Sequence, residues 1–506
     1  MLTSNRLANL QAKRSARLVG VESAEKDEQA IILECRRYIQ QFSEFYRNMA
    51  PAQKKEIIKE KINLYVMNEL PIVNGYTDDD NRPDTNKLTE MLIEEIMDYG
   101  ILTEAMRDPN IYEIRANGKG IKIEINGRIT DLTDNEGRII EFSTVEQQET
   151  ILRKLLGDVR LNPKYRLVNA RTIEGYRIAA VHSSGMSLDP NNPLAEQYHS
   201  FVIRKFREVK MNLSDIVRYG TLSDDMAELL ELLPQAELTF VTVGPTTSGK
   251  TTTNNAILLS GVSPNLRTII IQNPSEIDLR MRDAAGRIYN DTLHLEASEK
   301  DNPSAYDNTM VNLMSHLLRM SPTLVCFGEL RSNKEFKLGM AILQAGHPVN
   351  TTYHADSSES AVKRFLTAYL AESGNEPAHL ALSALTEVLH IIIVQRVMRD
   401  GRRKIIQISE VIGVKNDNPN EPDINDLYRF EIDQEPEYDE YNRLIEIKGT
   451  HKHVGVLSEK IIRKFSLCGI PRYKWEKFTE LDDEYTETYT GNYKSNIRDD
   501  RVNIYE

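Results

Sequence analysis

The sequence predicts an α/β protein whose core is a largely parallel β-sheet covered by helices, preceded by an α+β domain and a helical N-terminal extension. Apolar strands at residues 238–243, 268–271, 323–327 and 391–394 alternate with helical stretches, a pattern typical of a parallel sheet. Residues 121–130 alternate in hydrophobicity around Asn126-Gly127, which predicts a β-hairpin. Near the N-terminus, apolar residues recur at helical spacing.

The composition is that of an ordinary soluble protein with several domains. The chain has 506 residues, of which 40% are hydrophobic and 27% charged, and this length suggests about three or four domains. Because the net charge is −13, we do not expect direct binding to nucleic acid.

The cysteines and the apolar runs indicate the compartment. Cys35, Cys326 and Cys468 are far apart and form no C-x-x-C pair, so we expect neither a zinc site nor disulfides. The sequence shows neither a secretory signal nor the roughly 20 apolar residues that a transmembrane helix needs. We therefore expect a cytoplasmic protein that contacts a membrane through partners.

Composition and periodicity divide the chain into segments. The N-terminal half is predicted to contain a helical module at 1–75, a polar linker at 76–87, an α+β domain at 88–207 and a connector at 208–221. The rest is predicted to contain the parallel-sheet domain at 222–413, a polar C-terminal accessory region at 414–480 and a flexible acidic tail at 481–506. A packed terminal element is the alternative for the tail, since its four tyrosines can be buried.

The most informative motif is a glycine-rich loop between a predicted strand and a predicted helix. Residues 244–251 read Gly-Pro-Thr-Thr-Ser-Gly-Lys-Thr, the spacing of a loop whose backbone N–H groups and following helix face a phosphate. In such a loop Lys250 reaches the β and γ phosphates of ATP and Thr251 ligates Mg²⁺. The predicted nucleotide-binding residues are Gly244, Pro245, Thr246, Thr247, Ser248, Gly249, Lys250, Thr251 and Thr252.

The motifs that follow the loop narrow the interpretation. Strand 268–271 leads into residues 272–276 (Gln-Asn-Pro-Ser-Glu), which places a carboxylate at the carboxyl end of a strand. Strand 323–327 leads into residues 328–331 (Gly-Glu-Leu-Arg). Two histidine-containing segments come next, at residues 345–347 (Ala-Gly-His) and 351–357 (Thr-Thr-Tyr-His-Ala-Asp-Ser).

This order resembles the secretion and type IV pilus ATPase family, most closely its CpaF-like (Tad pilus) and VirB-type conjugation branch. In that family a phosphate loop is followed by an acidic box, a Gly-Glu-x-Arg Walker B motif and a histidine box ending in Thr-x-His-Ala-x-Ser. The similarity extends to residues 108–118, 121–128, 176–179, 201–206 and 400–411. It implies a RecA-like P-loop ATPase core, hydrolysis of Mg-ATP and a homo-hexamer. It also implies a polytopic membrane platform protein as partner, at the inner face of the cell membrane.

Candidate catalytic residues lie in these motifs. Glu329 can orient or deprotonate the attacking water, or hold Mg²⁺ through a water molecule. Glu276 can support the same water, or it can be a carboxylate that only stabilises a helix N-terminus. An isolated histidine is more often a core residue. For His354 the resemblance instead implies a sensor of the γ-phosphate or a bridge to Glu329.

Hydrolysis also needs a positive charge near the transferred phosphoryl group. The candidates are Arg204, Arg177 and Arg331. In ring-forming relatives, arginines of the N-terminal domain approach a nucleotide held by the motor domain. Structural ion pairs are the alternative for each of them.

The chain departs from the family pattern in ways that leave other functions open. Gln272 and Asn273 replace the first acidic residues of the acidic box, and Thr323 replaces the acidic residue before the Walker B strand. Fewer negative charges near Mg²⁺ would weaken metal affinity or slow hydrolysis. The alternatives to an active motor are therefore a nucleotide-bound structural component and a nucleic-acid translocase, the latter disfavoured by the acidic charge.

Overall fold

The computed structural model describes residues 27–42, 51–78, 82–125, 128–186, 198–205, 211–273, 276–297, 309–439 and 444–481. The chain divides into two compact units, residues 1–209 and residues 210–506. Apart from Leu481, the predicted acidic tail lies outside the described residues.

The N-terminal unit begins with a cluster of three helices, α1 (Glu28–Gln40), α2 (Pro51–Glu69) and α3 (Thr85–Met97). Apolar residues at helical spacing, such as Ile31, Ile62 and Leu88, are fully buried between these helices. The side chain of Asp84 accepts a hydrogen bond from the backbone N–H of Lys87 and so caps α3. The linker predicted over 76–87 therefore ends at residue 84, and α3 packs with the N-terminal helices.

The rest of this unit has the α+β arrangement that the sequence predicted. Its elements are α4 (Thr103–Arg107), β1 (Ile111–Asn117), β2 (Gly120–Ile125), β3 (Arg128–Asp131), α5 (Val145–Leu156), β4 (Leu167–Arg171), β5 (Arg177–Val181) and β6 (Ser200–Arg204). The six strands pair antiparallel in the order β3-β2-β1-β6-β5-β4. The backbones of Ile125 and Arg128 are paired across the predicted hairpin.

In the second unit helices and strands alternate. It begins with α6 (Leu213–Arg218), α7 (Asp224–Gln235), β7 (Phe240–Val243), α8 (Lys250–Gly261), β8 (Thr268–Gln272), β9 (Thr292–Glu296), α9 (Met310–Leu317), β10 (Leu324–Phe327) and α10 (Asn333–Gln344). It continues with β11 (Val349–Tyr353), α11 (Ser358–Leu370), α12 (Ala378–Val388), β12 (Ile391–Val397), β13 (Arg403–Val414), β14 (Pro422–Glu431), β15 (Glu437–Tyr438), β16 (Leu444–Glu446), β17 (Thr450–His453) and α13 (Glu459–Leu467). Among the helices of the described residues, none is both long and apolar enough to cross a bilayer.

Nine of these strands form one sheet with the order β17-β14-β13-β12-β7-β11-β10-β8-β9, and β15 and β16 pair with each other. Neighbouring strands are parallel from β12 to β9 and antiparallel from β12 to β17. Both faces are covered, since Phe240 packs in the layer of α6, α7, α8 and α13, whereas Val241 packs in the layer of α9 to α12. The predicted RecA-like α/β core is confirmed, and the carboxyl ends of its parallel strands meet along one edge.

The structure differs from two predicted boundaries in this unit. Within the connector predicted at 208–221, residues 213–218 form α6, because Leu213, Ile216 and Val217 are buried in the core of the second unit and Asn212 caps the helix. The boundary predicted at residue 413 lies inside the large sheet, since β13 pairs with β14 and β14 with β17. These outer strands contain many polar residues, so composition alone does not reveal which of their residues are buried.

Candidate nucleotide-binding site

The glycine-rich loop joins β7 to α8 at the carboxyl edge of the parallel strands. At Gly244, with φ +152°, a Cβ atom would lie 2.0 Å from the backbone oxygen of Gln395 on β12, so no side chain fits. Gly249 has φ +93° and precedes the first residue of α8. The two glycines thus permit the tight turn that a phosphate-binding loop needs.

Lys250 begins α8, and its side chain folds back over the loop. Its Nζ donates hydrogen bonds to the backbone oxygens of Gly244 at 3.1 Å and Pro245 at 2.7 Å. The residue is buried, and burial lowers the pKa of Lys250, while the charge of Glu329 acts in the opposite direction. The ammonium group therefore lies against the backbone of the glycine-rich loop.

Glu329 follows β10 and lies between two nitrogen-containing side chains. Its Oε1 is 3.1 Å from Nε2 of His354, and its Oε2 accepts a hydrogen bond from Nε of Arg331 at 2.7 Å. The other ring nitrogen of His354, Nδ1, lies 3.1 Å from the backbone oxygen of Gly244. A chain of contacts thus runs from the loop through His354 to Glu329 and Arg331.

The ends of β10 and β11 hold this arrangement in place. The backbone N–H of Leu330 donates to the oxygen of Thr352 at 3.0 Å, and the Thr352 hydroxyl donates to the oxygen of Gly328 at 2.8 Å. Both ring nitrogens of His354 face acceptors, so only a ring protonated at both nitrogens can donate both hydrogen bonds.

Gln272, at the end of β8, is one of the two residues that replace acidic residues of the acidic box. Its Oε1 accepts hydrogen bonds from the N–H groups of Glu276 at 2.9 Å and Ile277 at 2.8 Å. Its Nε2 donates to the oxygen of Ile277 at 2.8 Å, a bond that a carboxylate cannot make. The buried amide therefore folds the segment after β8, and it leaves Glu276 exposed at the end of this strand.

Thr323 precedes β10 and therefore lies at the amino end of that strand. Its backbone N–H donates to the oxygen of Arg267, the residue before β8. The glycine-rich loop and Glu329 lie at the opposite, carboxyl ends of these parallel strands. The expectation that Thr323 removes negative charge near the metal is therefore wrong.

Arg204 and Arg177 belong to the N-terminal unit. Nε of Arg204 is 3.3 Å from Oε2 of Glu113, and the arginine side chain is 46% exposed. Arg177 on β5 is paired with Arg204 in the strand register. Arg204 thus forms an ion pair, as expected if its role is only structural, although about half of its side chain faces solvent.

Gln395 and Arg403 also contact the loop and were not predicted as site residues. Gln395 on β12 is buried, and its backbone oxygen packs against Gly244. Nε of Arg403, the first residue of β13, donates to the backbone oxygen of Thr247 at 3.3 Å. The position of Gln395 at the carboxyl end of an apolar strand was a usable signal. For Arg403 only its place in the 400–411 motif pointed to a role.

The donor set at the loop fits a magnesium nucleotide. The hydroxyl of Thr251 in the first turn of α8 and the carboxylate of Glu329 are hard oxygen ligands of the kind that Mg²⁺ prefers. The loop also offers a lysine ammonium group and a turn so tight that Gly244 admits no Cβ atom.

Comparison with known proteins gives a family match and distant relatives. Residues 114–426 match the family described as Type II/IV secretion system protein. A probable conjugal transfer protein TrbB of Sinorhizobium fredii is 27% identical over 213 residues, which are 41% of this chain and 60% of that protein. An uncharacterized protein of Methanocaldococcus jannaschii is 26% identical over 249 residues, 49% of this chain and 40% of that protein.

Among solved structures, the X-ray structure of the Legionella pneumophila ATPase DotB is similar, with 19% identity and a TM-score of 0.43. The similarity covers 60% of this chain and 77% of that one. The chain spans less than two thirds of the length of the two sequence relatives, at 60% and 40%.

Proposed function

Because the chain belongs to the type II/IV secretion system protein family, whose model matches residues 114–426, we propose that it is a motor that hydrolyses Mg-ATP. The apparatus that it would power is a Tad-like type IV pilus, a type II/IV secretion system or a conjugative transfer system. Similarity to a probable conjugal transfer protein supports the last of these. The observation that carries the proposal is the chain of contacts from Lys250 and Gly244 through His354 to Glu329.

Each residue in this series of contacts has a role in the proposed reaction. Lys250 and the loop N–H groups would hold the phosphates, and Thr251, with Glu329 through a water molecule, would hold Mg²⁺. The bound ion supplies positive charge to the triphosphate. Glu329 would orient or deprotonate the attacking water, while Arg331 and His354 fix its carboxylate by contacts to both oxygens.

The family resemblance supports a homo-hexamer in which an arginine of the N-terminal unit completes the site. Arg204 is the first candidate and Arg177 the second, and Glu276 is a candidate to support the water. Measuring the mass of the protein with and without nucleotide tests the assembly. A monomer under every nucleotide condition would contradict the hexamer.

Membership of this family also supports a proposal for the cellular location of the protein. We propose a cytoplasmic location with peripheral attachment to the inner face of the membrane, through a polytopic platform protein. Release from membranes by a high-salt wash is the expected behaviour. Direct binding of nucleic acid is not part of the proposal, given the net charge of −13.

A nucleotide-bound structural component is the second candidate function, and Gln272 and Asn273 favour it because they remove carboxylates from the acidic box. Steady-state phosphate release separates the two functions. The motor should release phosphate in a Mg²⁺-dependent reaction, and Lys250→Ala should abolish it. Lys337→Ala, which removes a lysine on α10 that contacts the oxygen of Glu372, is the matched control and should keep normal turnover.

The possible results lead to different conclusions. Wild-type protein that binds ATP without releasing phosphate would favour the structural component. Wild-type turnover in Lys250→Ala would contradict the assignment of the loop. Circular dichroism of both lysine variants establishes that a loss of turnover does not come from unfolding.

A further inference from the structure

Arg403 holds one residue of the glycine-rich loop from outside. Its Nε donates to the backbone oxygen of Thr247 at 3.3 Å, and its Cδ would lie 3.1 Å from a Cβ atom at Gly249. Thr247 itself has φ +61°, a left-handed conformation that β-branched residues rarely adopt. Such a conformation persists when the surrounding contacts over-determine it, and the bond from Arg403 is one of these contacts.

The turn that leads into Arg403 is fixed by Asp400. This buried carboxylate accepts the backbone N–H of Arg402 on Oδ1 at 3.0 Å and the backbone N–H of Ile447 on Oδ2 at 2.9 Å. The turn closes with the N–H of Gly401 donating to the oxygen of Met398 at 2.9 Å. Both oxygens of Asp400 are thus used, one within the turn and one on a later part of the chain.

That later part is a small hairpin, which we call the C-terminal hairpin and define as β15, β16 and Ile447. Besides the bond from Ile447, the hairpin provides Glu446, which forms an ion pair with Arg402. The C-terminal hairpin lies beyond residue 426, where the family match ends. The contacts to Asp400 and Arg402 therefore come from a segment that the family match does not cover.

We propose that Arg403 is a positioning residue of the nucleotide site and that the C-terminal hairpin holds it in place through Asp400 and Arg402. This inference rests on the proposed function, since it assumes that the loop binds nucleotide. Arg403 acts on the loop backbone, so it stabilises the conformation that grips the phosphates shared by ATP and ADP. A charge-assisted hydrogen bond of this kind is stronger than a neutral one, so its loss should be measurable in nucleotide affinity.

The test compares the affinities of fluorescent ATP and ADP analogues. Arg403→Ala should weaken both by about tenfold, and by similar factors, because the loop is common to the two ligands. Arg403→Lys should recover part of the affinity, because it keeps a cationic donor. Arg399→Ala removes an exposed arginine from the same turn and should leave both affinities unchanged.

The hairpin is tested with Asp400→Asn. The amide puts an N–H group against a backbone N–H, so this variant should weaken both ligands in the same direction as Arg403→Ala. If Asp400 acts through Arg403, the double variant should bind no more weakly than Arg403→Ala alone. Additive losses would overturn the role of the hairpin.

The remaining outcomes separate the inference from the proposed function. Normal binding of both analogues by Arg403→Ala would overturn the inference, and a loss confined to ATP would show that Arg403 serves the γ-phosphate instead. Wild-type protein that binds neither analogue would contradict the proposed function. If Arg403→Ala does not fold, Arg403→Lys, which keeps the charge and most of the side chain, decides the question.

Discussion

His354 connects the glycine-rich loop with Glu329, since its Nε2 lies 3.1 Å from Glu329 Oε1 and its Nδ1 lies 3.1 Å from the backbone oxygen of Gly244. One ring therefore joins the carboxyl ends of β7, β10 and β11. A movement of the loop that displaces the oxygen of Gly244 changes the support of the Glu329 carboxylate. The structure thus provides a direct path from the glycine-rich loop to the carboxylate proposed to act on water.

Glu329→Gln should keep ATP binding and lower turnover by about 100-fold or more, the effect expected when a general base is removed. The amide cannot take a proton from water, although it can still accept a hydrogen bond from Arg331. Single-turnover hydrolysis and ATP affinity, measured on the same sample, check this prediction.

Glu335→Gln is the matched control for that variant. The Glu335 carboxylate accepts hydrogen bonds from the backbone N–H groups of Arg331 and Ser332, at 2.7 and 3.3 Å, and a glutamine oxygen can accept them too. Its turnover should be normal. If Glu329→Gln itself hydrolyses ATP at the normal rate, Glu276 becomes the candidate base.

His354→Ala should lower turnover by about tenfold or more while ATP affinity changes less, because the ring acts on the position of Glu329. The same substitution in a Glu329→Gln background should have little further effect, since coupled residues are not additive. His379→Ala, on the exposed part of α12, serves as the control. Equal losses in both backgrounds would show that His354 acts independently of Glu329.

Much of this site could be predicted because its signals are local. Gly244 and Lys250 are related by the spacing of one loop, which sequence displays directly. Glu329 and His354 each follow an apolar strand, and parallel strands bring their carboxyl ends to one edge of the sheet. The fold class therefore predicts that both residues lie near Lys250.

The parts that could not be predicted depend on tertiary contacts. Gln272 is a substitution in a motif when seen in the sequence, and only its bonds to Glu276 and Ile277 reveal a structural amide. Arg403 reaches Thr247 because β12 and β13 pair in one particular register. No periodicity in the sequence specifies that register.

Arg204→Ala should lower turnover sharply and ATP affinity modestly, because a guanidinium that meets the triphosphate matters most in the transition state. Arg204→Lys should restore little activity, since the forked geometry is lost. The ion pair with Glu113 supplies a comparison variant, Glu113→Gln, which keeps Arg204 and removes the charge that Glu113 shares between Arg204 and Arg115.

The two explanations of Arg204 predict different results for that variant. If Arg204 acts on nucleotide, Glu113→Gln should keep most of the turnover. If the pair is only structural, Glu113→Gln and Arg204→Ala should lower the melting temperature and the activity in parallel. Mass measurement on each variant establishes that the assembly state is unchanged.

His390 should make the stability of the second unit depend on pH. Its Nδ1 accepts the backbone N–H of Thr239 at 3.1 Å, and burial, with the charges of Lys464 and Lys460, lowers the pKa of His390 from 6.5 to about 3. Between these values the unfolded chain binds a proton that the folded chain excludes, so the free energy of unfolding rises with pH in this window. The free energy of unfolding therefore decreases as the pH falls below 6.5, and this one residue lowers it by about 2 kcal/mol at pH 5.

His390→Gln tests this assignment, because glutamine keeps an acceptor for Thr239 and does not titrate. Denaturant unfolding at pH 7 and pH 5 should show a difference smaller by about 2 kcal/mol in the variant than in the wild type. Burial also lowers the pKa of His451 to about 3, so more than one histidine contributes to the pH dependence of the wild-type free energy of unfolding. The informative quantity is therefore the difference between the wild type and the variant. The exposed His379→Gln should leave the slope unchanged. If His390→Gln has the wild-type slope, His390 takes up its proton within the folded unit, and its contact with Thr239 does not require the neutral ring.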